Sequence, residues 1–124
     1  MRKILIAASV AVLCAAPALA ADDVMAGFYG NTAVATGGMV ESHTHYRADH
    51  TFDVTASAMG TNYACKGTWS IDGTGQLCRH YDDPAPPNTP NPLCTPIEAH
   101  KVGDSWTMTM GGNSRTITLK AGIE

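Results

Sequence analysis

Apolar and polar residues alternate in short runs along most of the chain, and Gly, Asp, Asn and Pro separate the runs. Because successive side chains of a β-strand point to opposite faces, this period of two predicts strands with one buried and one wet face. Nothing after residue 20 keeps the 3.6-residue period of an amphipathic helix. We predict eight strands, at 27–35, 39–47, 51–58, 62–71, 76–81, 93–102, 105–110 and 115–121.

The predicted fold is all-β. Eight short antiparallel strands in a chain of this length favour a meander that closes into a small lipocalin-like barrel, with a β-sandwich as the alternative. The alternation is clearest in 62–71, where Tyr63, Cys65 and Trp69 share one face and Lys66 and Thr68 the other. Residues 93–102 form a weaker strand, which we place at an edge because a proline cannot donate to a central ladder.

The N-terminus has the features of a secretory signal peptide over residues 1–20. Arg2 and Lys3 precede a short apolar run, and an A-x-A site ends at Ala20. Residues 21–124 then form one domain, which is periplasmic or secreted. Cleavage leaves six basic and eleven acidic residues, a net charge of −5. This charge argues against nucleic-acid binding, and the mature chain has no segment for membrane insertion.

The hairpin between the second and third strands determines where two histidines point. A three-residue loop at 48–50 pairs Tyr46 with Phe52 and His45 with Asp53, which sorts apolar from polar residues. The histidines then face solvent. In this loop the last residue takes the left-handed conformation, usually as Gly, and here it is His50.

Three cysteines follow the signal peptide, Cys65, Cys78 and Cys94. An exported chain is exposed to an oxidising compartment, so one disulfide and one remaining thiol are expected. Cys65 shares a face with Trp69 and is interpreted as a buried, inert thiol. A bridge to another cysteine or to a second molecule is the alternative for it.

The segment 82–92, DDPAPPNTPNP, holds five prolines and no apolar residue larger than Ala. Its length suits an extended loop between two strands, and we interpret it as a solvated spacer. The alternative is a Pro-rich docking segment.

Several motifs together resemble a family of short exported alphaproteobacterial proteins, catalogued as domains of unknown function of the DUF995 type. The motifs are G-N-T at 30–32, Y-x-x-D-x-T-F at 46–52, G-T-W-S-I-D-G at 67–73, L-C at 77–78 and Cys94. The chain departs from the family pattern at His50, where the family has Gly, and by adding Cys65 and the Pro-rich loop.

The resemblance implies a compact β-meander in the cell envelope and supplies no catalytic residues. Its pattern includes a cysteine at both Cys78 and Cys94, which also flank the Pro-rich loop. We therefore predict that these two are bridged. Closing a loop of that length is worth roughly 3 kcal/mol in the chain-entropy description.

His43 and His45 lie on the same side of a predicted strand, and Asp53 lies across from His45. Imidazole with carboxylate suits Zn or Cu(II), so a periplasmic metal site at His43, His45 and Asp53 is one hypothesis. Two histidines on a wet strand face also arise by chance, and a solvated surface is the alternative. We otherwise expect no cofactor.

The favoured function is non-catalytic, because no nucleophile elbow, P-loop, H-E-x-x-H or C-x-x-C motif occurs. We predict an exported protein that binds a small ligand or an envelope protein partner. A barrel of eight strands has either a filled interior or room for one small ligand. A secreted enzyme inhibitor that presents the Pro-rich loop is a further alternative. The candidate lining residues are Phe52, Tyr63, Trp69, Trp106 and Met108.

Overall fold

A computed structural model of the protein describes residues 24–110 and 112–124, so the predicted signal segment lies outside the described residues. The described chain is all-β, as the alternation predicts. After a 3₁₀ turn at Ala26–Phe28 come β1 (Thr32–Gly37), β2 (Val40–Tyr46), β3 (Thr51–Ala58), β4 (Thr61–Ile71), β5 (Gln76–Tyr81), β6 (Leu93–Pro96), β7 (Ser105–Met110) and β8 (Asn113–Lys120).

All eight strands belong to one antiparallel sheet in the order β6-β5-β4-β3-β2-β1-β8-β7. The first six strands form a meander, and the C-terminal hairpin β7–β8 joins it by pairing β8 with β1. The sheet curls into a half-barrel. Within the described residues β6 and β7 each have a single neighbouring strand, so one side of the curl is open.

Two strand boundaries differ from the prediction by five residues or more, and both differences have tertiary causes. The first strand begins at Thr32 instead of residue 27, because the preceding turn buries Phe28 at one end of the half-barrel. A Cβ on Gly27 would overlap the carbonyl oxygen of His100, so the two backbones are in close contact there. This segment near His100 packs against the turn instead of extending β6, which ends at Pro96.

The core fills the end of the half-barrel at the β2–β3 turn. Trp69, Phe52, Met25 and Leu119 are fully buried there. The indole Nε1 of Trp69 donates to the carbonyl oxygen of Arg47 at 3.0 Å. The side chain therefore joins β4 to the neighbouring hairpin while filling the base of the sheet.

The predicted register of the β2–β3 hairpin is confirmed. Tyr46 lies opposite Phe52 and His45 opposite Asp53. His50 closes the loop in the left-handed conformation, at a φ of 69°. The three-residue loop is the one that places the apolar residues of both strands on one face and the polar residues on the other, as predicted.

A disulfide joins Cys78 to Cys94, and Cys65 is a free, half-buried cysteine. The two bonded residues face each other on β5 and β6. A structural disulfide indicates an oxidising, non-cytoplasmic compartment.

Candidate ligand-binding cleft

The concave face of the half-barrel encloses a cleft of about 330 Å³. Phe28 forms its base, where the ring packs edge-on against Tyr46 and Trp106. Inner-face residues of the strands form the walls because every second side chain points into the curl. The volume lies at the low end of the range for small-molecule sites, and most of the lining is apolar.

The structure separates the five predicted lining residues into two groups. Tyr63, Trp106 and Met108 line the cleft. Phe52 and Trp69 are each 1% exposed and belong to the core beneath it. The alternation in the sequence places all five residues on the apolar face. Whether each one lines the cleft or is buried beneath it depends on how the core packs at the closed end of the half-barrel.

The Pro-rich loop 82–92 forms part of the cleft wall, which differs from the solvated spacer that its composition suggests. Pro86 and Thr89 line the cleft. The Asn91 side chain anchors the loop to β5: its amide oxygen accepts from the Tyr81 N–H at 2.9 Å and its Nδ2 donates to the Tyr81 carbonyl at 3.1 Å. The Asn91 side-chain amide thus makes the two hydrogen bonds to the Tyr81 backbone that a neighbouring strand would otherwise make.

Arg79 is a charged cleft residue that is not among the predicted lining residues. Its Cζ lies 5.4 Å from the ring centroid of Tyr46 and 5.8 Å from that of Phe52, and its Nη1 donates to the Tyr81 hydroxyl at 3.3 Å. Burial raises the pKa of Tyr46, although Arg79 opposes the shift, so this hydroxyl is protonated at neutral pH. The sequence does contain a signal for this position of Arg79. Arg79 alternates with Leu77 and Tyr81, which puts an arginine on the inner face of β5.

The proposed metal ligands lie on the outer face, where His45 and Asp53 are paired. His45 Nδ1 is 2.9 Å from Asp53 Oδ2, and His45 Nε2 is 3.0 Å from the Glu124 carbonyl oxygen. The C-terminal residues thus cover His45, which is 8% exposed instead of solvated as its strand face suggests. Both ring nitrogens already have partners within the protein.

Asp53 also forms an ion pair with Arg47. Burial opposes ionisation of this carboxyl, but the hydrogen bonds from His45 and Arg47 outweigh it and lower the pKa of Asp53. His43 lies apart from this pair, with its Nε2 3.5 Å from Glu41 Oε1. These contacts explain the role of Asp53, whose carboxylate binds the side chains of His45 and Arg47.

A single group of three His, Cys, Asp or Glu side chains occurs in the described residues with ligand atoms close enough for one metal ion. It consists of Asp72, Cys78 and Cys94. Both sulfurs are in the disulfide, and Asp72 accepts hydrogen bonds within its own turn from Thr74 and Gln76. Its role in the folded chain is to hold the β4–β5 turn.

Within the described residues, no helix has the length and apolar character needed to cross a membrane. Comparison of the chain with protein-family models, with curated proteins and with solved structures found no significant match. The resemblance to the DUF995 type therefore stays a prediction, and the case for a function rests on the cleft.

Proposed function

We propose that this protein is a non-catalytic binding protein, periplasmic or secreted, that holds a small apolar ligand in the cleft of its half-barrel. The observation that carries the proposal is the cleft itself. It is open to solvent on one side, has a volume of about 330 Å³ and has a mostly apolar lining. Sites for small molecules are concave and mostly apolar, with a few polar groups that fix orientation.

The chemistry of the lining supports binding over catalysis. No Asp, Glu or His is among the described residues that line the cleft. Asp, Glu and His are among the side chains that most often act as general acids and bases. Cys65 lies in the wall without an imidazole beside it in the lining, so the usual activation of a cysteine nucleophile is missing.

Cys65 provides a direct test, since its free thiol lines the cleft. We expect the neutral apolar probe N-phenyl-1-naphthylamine to bind and to slow alkylation of Cys65 by N-ethylmaleimide. At a probe concentration about ten times its Kd, alkylation should slow roughly tenfold, because only the unoccupied protein reacts. Mass spectrometry of the peptide that contains Cys65 gives the rate.

The matched control is the double variant Cys65→Ser, Lys66→Cys. Lys66 is the exposed neighbour on the opposite face of β4, so a thiol there should react at the same rate with and without the probe. Binding that leaves alkylation of Cys65 unchanged would place the probe outside the cleft, and absence of binding would contradict the proposed function.

A further inference from the structure

Arg79 is a charged side chain surrounded by aromatic groups. It lies on the inner face of β5 near the base of the cleft, beside the rings of Tyr46 and Phe52. The guanidinium has five N–H donors in a rigid fork, and the Tyr81 hydroxyl accepts from one of them. An arginine in this position is always charged, so the base of the cleft carries a fixed positive charge.

Among the described residues, no carboxylate forms an ion pair with Arg79. The cleft lining holds two arginines, Arg79 and Arg115, and no acidic residue among the described positions, although the whole chain has more acidic than basic residues. A partly desolvated charge raises the free energy of the folded protein unless a group of opposite charge pairs with it.

The apolar wall continues from Arg79 toward the open end of the half-barrel. Along the inner face of β3, Val54 and Ala56 follow Phe52 in that direction, and Tyr63 lies opposite Ala56 on β4. The turns at this end expose the side chains of Met39 and Met59. The cleft thus has a cationic base and an apolar path from it to solvent.

We propose that the ligand is an amphiphile with one carboxylate on an unbranched apolar chain. The carboxylate accepts two parallel hydrogen bonds from Arg79, and the Tyr81 hydroxyl is placed to donate a third. The tail runs along Val54 and Ala56 toward the rim. A monoanion matches the single guanidinium at the base, and the bidentate geometry of arginine suits a planar carboxylate. This inference rests on the proposed function and names its ligand class.

Isothermal titration calorimetry of the disulfide-bonded protein with decanoate, 1-decanol and decyltrimethylammonium tests the inference. The three ligands share a tail and differ in head-group charge. We expect decanoate to bind roughly tenfold to a hundredfold more tightly than decanol, the range expected for hydrogen bonds to a charged group, and the cation to bind weakest. This comparison needs no variant and is independent of how a substitution affects folding.

Arg79→Met should remove the preference for decanoate and leave decanol affinity unchanged or higher, whereas Arg79→Lys should keep part of it. Arg47→Met is the matched control, because Arg47 pairs with Asp53 on the outer face and should not affect any of the three ligands. Arg115→Met tests the second arginine of the lining.

Three outcomes are distinguishable. Equal affinity for decanoate and decanol would overturn the carboxylate inference while the apolar binding function stands. A preference for decanoate that survives Arg79→Met, including one that is lost in Arg115→Met, would overturn the assignment to Arg79. Absence of binding by all three ligands would overturn both this inference and the proposed function.

Discussion

Replacing Trp69 with alanine is expected to lower the free energy of unfolding by about 3–5 kcal/mol, the usual cost of deleting a buried Phe or Trp side chain. Trp69 is among the largest fully buried side chains in the described chain. Its indole ring lies 4.0 Å from the His50 ring in a stacked arrangement, and its Nε1 donates to the Arg47 carbonyl. The substitution therefore leaves a cavity at the base and removes a link between β4 and the β2–β3 hairpin.

Urea denaturation followed by far-ultraviolet circular dichroism measures this loss. Trp106→Ala is the comparison, because Trp106 is only partly buried in the cleft wall and should cost less. If Trp69→Ala lost less than about 1 kcal/mol, or less than Trp106→Ala, the base of the half-barrel would not be the main core.

Removing the disulfide is expected to cost about 3 kcal/mol, since it closes a loop with a sequence separation of 16 residues. The bond holds the four-residue strand β6 against β5, and both are continuous with the Pro-rich loop. Because Pro86, Thr89 and Leu93 line the cleft, loosening this region should also weaken ligand binding.

The double variant Cys78→Ala, Cys94→Ala tests this expectation in urea denaturation and in the decanoate titration. Cys65→Ser is the matched control for the urea denaturation, since it removes a thiol and leaves the bridge intact. A double variant as stable as the wild type would show that the strand pairing alone holds β6 in place.

The strand pattern and the β2–β3 hairpin are readable from sequence because they depend on local rules. Alternation of apolar and polar residues gives the strands, and face sorting gives the three-residue loop that ends at His50. The disulfide between Cys78 and Cys94 is confirmed as well, and its prediction depended on the resemblance and on the two residues flanking the loop.

The remaining features depend on contacts between segments distant in sequence. Phe28 lies in a turn instead of a strand because it fills the end of the half-barrel beside Trp106. His45 is covered because the chain returns to it at Glu124. Alternation gives the face of a side chain but not its depth, so it does not separate cleft residues such as Tyr63 from core residues such as Phe52.

In the proposed complex, the concave face receives the ligand with its charged end at Arg79. Nuclear magnetic resonance of the protein with uniformly ¹³C-labelled decanoate tests it most directly, through isotope-filtered nuclear Overhauser contacts. We expect contacts from the carbons next to the carboxylate to the rings of Tyr46 and Tyr81, and from the tail to Ala56 and Tyr63. Contacts confined to the outer face, or a reversed orientation with the tail at Tyr46, would contradict it.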